Sequence, residues 1–315
     1  MKLKRKFKKI LKNKIWYFIV GVIVLAGAFF SNCENTEGFR IKNIFNSSSP
    51  SNKEETIKSI SEDLQVHFVD VGKADFIYIK FKNHNIIIDA ADKEPNNIVT
   101  EYLKKQDVSK IDLAVVSHAH RDHIGQMAEV IKSFNVEKFI MSKIPESLIP
   151  TGRTYEKMLC ALKEKEVNSK IAKAGEIFEI EDLKIEVLGP VKNGKNLNDT
   201  SLVLKMIYKN VSFLFTGDAE KAEESDIIDA GYNLKADVLK VGHHGSRTSS
   251  SENFLKKVSP KFAVISVGPD KSNLPKEEIL KRIEKYCKNI HRTDLNGNII
   301  ISTNGKNIKV KDEKQ

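Results

Sequence analysis

Ser117-His118-Ala119-His120-Arg121-Asp122-His123-Ile124-Gly125 is the stretch that decides the fold of this chain. Three imidazoles and one carboxylate fall between 118 and 123, although the 315 residues include only 8 histidines. Residues 112–117 (DLAVVS) read as a buried strand leading into it. Residues 124–134 read as a helix leading out, with apolar positions at 124, 127, 130, 131 and 134. Neutral imidazole nitrogens beside a hard carboxylate oxygen suit zinc and tolerate manganese or iron. Four ligands on one turn are too many for a single tetrahedral ion that keeps an open position, so the spacing points to two ions sharing a loop. The helix start adds free N–H groups suited to an anion. A solvated His-rich loop is the plain alternative, and the H-x-H-x-D-H spacing argues against it.

Outward from this loop, short apolar strands alternate with amphipathic helices. Residues 64–69, 76–81 and 85–89 read as the first strands and 96–105 as a helix. Further strands are expected at 177–180, 184–188, 201–208 and 211–216, the last two joined by a tight turn at Lys209-Asn210. A helix at 219–229, strands at 238–241 and 262–266 and a helix at 276–286 follow. Strands at 298–303 and 307–310 flank Asn304-Gly305, a hairpin signal. Two sheets face to face with helices outside accommodate this order, and loops at strand ends then carry function.

The formal net charge of +10 invites a nucleic-acid reading. Its distribution argues against that shortcut. Residues 1–14 hold eight basic residues and no acid, and 31–60 balance four against four, which leaves +2 for residues 61–315. After the basic tail, residues 15–30 (IWYFIVGVIVLAGAFF) are uncharged and mostly apolar, as in an export signal. The positive-inside rule leaves residues 1–14 in the cytoplasm and everything after the apolar run outside. Ala26-Gly27-Ala28 offers a cleavage site that would give a secreted protein. Phe29 and Phe30 extend the apolar run past it, which favours an uncleaved signal anchor over 15–33. Ser31-Asn32 before Cys33 disfavours a lipoprotein. Residues 34–60 are polar and read as a flexible linker to one folded domain, 61–315. Cys33, Cys160 and Cys287 lack CxxC spacing and give no zinc site; a Cys160–Cys287 bridge stays open. His67, His84 and His291 stand apart and read as structural.

The H-x-H-x-D-H run after a hydrophobic strand resembles the signature of the metallo-β-lactamase superfamily, and other segments match in order. Residues 70–75 (DVGKAD) resemble a D-V-G-x-G-D loop, with Ala74 where the pattern has Gly. Residues 86–89 (IIID), 213–218 (FLFTGD), 239–246 (LKVGHHGS) and 292–297 (RTDLNG) are similar to later motifs of one branch, the last to a C-terminal strand pair. That branch is the hydrolase domain of the ComEC competence DNA-uptake channel and its stand-alone relatives. The resemblance implies an αββα sandwich over 61–315, preceded by the membrane-targeting segment, and two divalent ions, zinc with manganese as the alternative. It implies that His118 and His120 hold the first ion, Asp122 and His123 the second, and that Asp218 bridges them. His243 would complete the second site, with His244 as proton donor or phosphate contact; which of the two is the ligand stays open. Asp122 and His244 are the catalytic candidates. Asp89 and Asp70 would orient ligands. Ser246 and Arg247, with Thr248, would contact phosphate. The superfamily has another His before the bridging Asp, and none occurs here between 123 and 218. Asn198 and Asp199 lie where it is expected, as metal or substrate residues.

Paired ions supply a hydroxide nucleophile at neutral pH and stabilise the oxyanion that attack creates. The leading expectation is therefore an extracytoplasmic phosphodiesterase or nuclease, acting on extracellular DNA or another phosphodiester, with no stable protein partner inferable. A hydrolase of a cell-envelope polymer such as teichoic acid is the first alternative. A non-catalytic surface binding module is the second, and the intact ligand set argues against it. The missing His argues against a β-lactamase proper.

Overall fold

The computed structural model describes residues 63–94 and 97–314. The basic tail, the apolar run and the linker lie outside the described residues. Among the described residues, no helix is long and apolar enough to cross a membrane.

Two large sheets form the interior. The first joins β1 (Leu64–Phe68), β2 (Ile77–Phe81), β3 (His84–Ile88), β5 (Leu113–Val116), β7 (Lys138–Ser142), β8 (Asn168–Ala172), β16 (Ile299–Thr303) and β17 (Ile308–Asp312), in the spatial order β17-β16-β1-β2-β3-β5-β7-β8. The second joins β9 (Ile177–Ile180), β10 (Leu183–Gly189), β11 (Val203–Tyr208), β12 (Val211–Phe215), β13 (Val238–Lys240), β14 (Phe262–Ile265) and β15 (Asn289–Arg292), in the reverse of sequence order. Two short strands, β4 (Lys110–Ile111) and β6 (Asn135–Val136), pair separately.

Alternation along each strand explains how the sheets stack. In β5, Leu113 and Val115 enter the core between the sheets, while Ala114 and Val116 enter the layer beneath the outer helices. β3 splits likewise, Ile86 and Ile88 inward and Ile87 outward. From the second sheet, Phe213, Phe215, Val238 and Val264 face the shared core, and Leu214, Leu239, Ala263 and Ile265 face the opposite helices. A strand buried on both faces reads as a continuous apolar run, as central parallel strands do.

Helices α1 (Ile98–Lys105), α2 (Arg121–Ile124), α3 (Met127–Ser133) and α4 (Arg153–Glu164) accompany the first sheet, with Leu103, Val130, Ile131 and Met158 in its outer core. Helices α5 (Lys221–Asp229), α6 (Glu252–Val258) and α7 (Glu277–Glu284) cover the second through Ile227, Phe254, Leu255, Ile279 and Ile283. The result is the expected four-layer αββα sandwich.

Three readings change. The helix expected over 124–134 breaks at Gly125-Gln126, leaving α2 and α3. The strand pair expected around 292–297 is instead the end of β15 and a single turn, α8 (Thr293–Asn296), whose Thr293 hydroxyl donates to Val267 O. Cys160 and Cys287 are free thiols, the first exposed and the second buried, so no bridge joins them.

Candidate metal centre

The site gathers where parallel strands end, the place where sheets of this kind expose loop side chains. β3 ends into Asp89, which has φ +63° and is fully buried. β5 ends into Ser117, whose N–H and O–H both donate to the Asp89 carboxylate at 2.7 Å. His118 and His120 follow, and α2 then presents Asp122 and His123. Gly125 lets this turn pack on backbone: a Cβ there would lie 2.2 Å from the carbonyl carbon of Asp92.

From the second sheet come Asp218, just past β12, and the His243-His244-Gly245 turn, just past β13. The turn is left-handed at three successive residues (φ +49°, +52° and +78°). Such a conformation is costly for residues with a Cβ. Only glycine fits the last position, where a Cβ would sit 2.4 Å from Pro275 Cβ.

Among the described residues the donor atoms form three groups, each within 4.8 Å: His118, His120 and Asp218; Asp122, His123 and His244; and Asp75, Asp89 and His123, the last on the Nδ1 side of the His123 ring. Asp218 lies between the first two. Its Oδ2 is 3.8 Å from His118 Nε2 and 3.4 Å from His123 Nε2, and its Oδ1 is 3.8 Å from His244 Nε2. His118 Nε2 and His120 Nδ1 face each other at 3.0 Å.

Hydrogen bonds on the far side of the rings set which nitrogen is free. His123 Nδ1 donates to Asp89 at 2.8 Å, and His244 Nδ1 donates to Ser266 O at 2.8 Å. Their Nε2 atoms, with Asp218 Oδ1 and Asn198 Oδ1, are buried without a hydrogen-bond partner. Buried polar atoms are ordinarily satisfied. Convergent lone pairs on imidazoles and carboxylates are the donor set of a divalent cation pair, so the residues fit the two ions.

Charge tells the same story. Burial pushes His118 well below the usual imidazole range, aided by neighbouring His123, which favours the neutral, ligand-competent ring. Burial also opposes protonation of His123, but Asp218 and Asp89 outweigh it and hold that ring well above its usual value. Burial would raise Asp218, yet His123 and His244 hold it well below the carboxylate range. The buried carboxylates thus demand positive charge at this point.

Several residues lie elsewhere than expected. His244, not His243, joins Asp122 and His123; His243 turns to Thr248 Oγ1 (3.0 Å) and approaches Asp218 Oδ2 at 3.7 Å. Asp70 meets Gly72 N–H and Lys314. Asp75, read only as part of a motif, is the carboxylate beside the imidazoles, 3.7 Å from His123 Nδ1, and forms a buried 2.6 Å ion pair with Lys240. Arg247 donates to Glu278 at 2.9 Å on α7, and Ser246 meets Thr248 at 3.2 Å. His67, His84 and His291 pair with Tyr102, Asp112 and Asp312 away from the cluster. Asp75 and Lys240 lie within the quoted 70–75 and 239–246 motifs, but their ion pair was not foreseen.

A cleft of about 730 Å³ opens beside the centre, lined by Asp70, Lys73, Asp92, Arg121, Asp122 and Asp270 among others. Lys73 Nζ stands 3.1 Å from Asp122 Oδ2.

An αββα sandwich with clustered His and Asp donors at one end of its sheets defines a metal-dependent hydrolase scaffold. The metallo-beta-lactamase superfamily profile matches residues 69–268, and the chain belongs to that superfamily. It is 30% identical over 260 residues to ComE operon protein 3 of Bacillus subtilis, covering 76% of this chain and 33% of that protein. It is 29% identical over 235 residues to Competence protein ComA of Neisseria gonorrhoeae, covering 72% of this chain and 30% of that protein. The chain therefore corresponds to about a third of each relative's length. Among solved structures, the metallo-beta-lactamase fold protein YhfI from Bacillus subtilis superposes with a TM-score of 0.53 at 9% identity, over 76% of this chain and 100% of that one, a likeness of fold.

Proposed function

We propose that this chain is an extracytoplasmic phosphodiesterase that cleaves nucleic acid, its body held outside the membrane by residues 15–33 or released if that segment is cleaved. The observation that carries the reading is the convergence of unpartnered, buried His123 Nε2, His244 Nε2 and Asp218 Oδ1 behind a cleft whose wall includes His120 and Asp122. Similarity to Competence protein ComA, together with the motif resemblance to the hydrolase domain of the competence DNA-uptake channel, supports a nucleic-acid substrate. Zinc or manganese, when bound, supplies Lewis acidity and lowers the pKa of attacking water.

The chain's own residues do the rest. Asp122 and Asp218 would supply the negative charge that holds two cations close together. Lys73 stays cationic: burial would lower its pKa, but Asp122 outweighs that and raises it. It offers a positive charge to a phosphoryl oxygen at the cleft wall. His243 is partly exposed. Its Nδ1 lies 3.0 Å from Thr248 Oγ1 and its Nε2 3.7 Å from Asp218 Oδ2, beside the centre, where an imidazolium would serve as the acid for the leaving oxygen.

A second reading is an envelope-polymer phosphodiesterase. Asp70, Asp92, Glu94 and Asp270 outnumber Lys73 and Arg121 on the cleft wall, which weighs against tight duplex binding, since that needs several phosphate contacts.

Incubating the full chain with single-stranded and duplex DNA, with zinc or manganese supplied, separates the two. Degradation by wild type, reduced at least ~100-fold in His123→Ala, supports the nuclease. Intact DNA alongside cleavage of a generic phosphodiester such as bis-p-nitrophenyl phosphate moves the substrate to the polymer class.

A further inference from the structure

Among the described residues, the first cluster of His and acidic donors is His118, His120 and Asp218, and no histidine occurs between 123 and 218 to add a fourth. We propose that Asn198 Oδ1 fills this place as a ligand of the first ion, and that Glu220 aims it; the proposal rests on the two-ion reading above.

Asn198 is nine-tenths buried, in a single helical turn, Asn198–Thr200, after β10. The turn is tied to the centre from two sides. Leu202 N–H donates to Ser117 O at 2.9 Å, and Asp218 N–H donates to Ser201 Oγ at 3.1 Å. The orientation of the amide follows from its neighbour. Asn198 Nδ2 lies 3.0 Å from Glu220 Oε1, and a carboxylate only accepts, so the NH2 end must face Glu220. The oxygen is thereby turned the other way. It is buried and has no partner within hydrogen-bond distance, the group it faces being the His120 ring, itself in the first cluster. Buried polar oxygens are ordinarily satisfied, and an ion held by His120 would satisfy this one.

Asp199, the other candidate by sequence, is engaged locally. Its Oδ1 accepts from Glu220 N–H at 3.1 Å and its Oδ2 from Asn196 Nδ2 at 3.4 Å. It braces the start of the segment leading into α5 and presents no free oxygen to the centre. Glu220 therefore works twice: its backbone is held by Asp199 and its carboxylate holds Asn198.

Metal content and affinity test this without reference to turnover. The full chain, stripped and then titrated with Mn2+ or Zn2+, is followed by calorimetry and elemental analysis. Wild type should bind two ions. Asn198→Ala should retain one ion tightly and lose the other. Asn198→His should again bind two, which shows that the position, and not a folding defect, sets the stoichiometry. Glu220→Ala should weaken one of the two ions by about 10–100-fold, and Asp199→Asn should leave both unchanged. Metal-free melting temperatures report folding for each variant. Two ions at wild-type affinity in Asn198→Ala overturn the assignment. A wild type that binds fewer than two ions overturns the two-ion reading itself.

Discussion

Asp89 shows how much one residue settles here. It must leave β3 with φ +63°, accept two bonds from Ser117 and one from His123, and do so fully buried. Burial raises its pKa, and His123 opposes that shift. Asn tolerates the same left-handed backbone and has the same shape, so Asp89→Asn isolates the carboxylate. Its NH2 would face a donor, leaving at least one buried group unsatisfied. We expect about 1–3 kcal/mol of lost stability and about 10–100-fold weaker metal binding, measured by denaturant unfolding and metal titration. Unchanged metal affinity would show that the His123 orientation does not depend on this contact. Residue identity made the His118–His123 cluster legible in sequence, since few residue types bind metal. It could not choose between His243 and His244. That choice rests on a left-handed turn and on Ser266 O, and neither leaves a mark in the local pattern. Asp75 stayed hidden for the same reason: its partner Lys240 is 165 positions away in sequence.

At the scale of elements, strands were legible wherever a short, mostly apolar run met burial, as in β5 and β12. The strand over Ile177–Ile180 and the turn at Lys209, with φ +53°, fall where the pattern places them. β7, β8 and α4 were not read. In β8 only Ala172 is buried, so the apolar signal is thin. Helix α5 carries a buried acid that its sequence position conceals. Glu223 lies in its first turn but is buried against β10, where it accepts Val191 N–H at 2.9 Å. Burial pushes its pKa up to about 8. A raised folded-state pKa means stability present below the unfolded value and lost as pH rises through the folded one. Glu223 should therefore destabilise the fold progressively from pH ~4.5 to ~8. Glu223→Gln removes this term while keeping an acceptor for Val191. The melting temperature of the variant minus that of wild type should grow across this window and level off above it. His67, which burial lowers to about 4, titrates with the opposite sign, but it is common to both proteins and cancels in the difference. A difference that stays flat with pH would mean that Glu223 is ionised in the native state throughout.

For the molecule as a whole, the centre lies between two halves that each build a sheet. His118, His120, Asp122 and His123 come from the first, Asp218 and His244 from the second, and Asp218 faces both clusters. Closing the site therefore requires the shared core of Phe68, Val115, Phe213 and Val264 to be formed. Ions that bind only the closed arrangement stabilise it by mass action, by about 2.7 kcal/mol per site at a hundredfold excess over Kd. Adding zinc or manganese to stripped protein should raise the melting temperature by several degrees, and a chelator should reverse the rise. Asp218→Ala should abolish most of the metal-dependent increase, because it removes the one carboxylate shared by both clusters. His84→Ala should keep the increase in full, since His84 pairs with Asp112 at the edge of β3 away from the centre. If the two variants respond to metal alike, the ions do not couple the halves through Asp218, and the carboxylate between the clusters serves to hold the buried histidines instead.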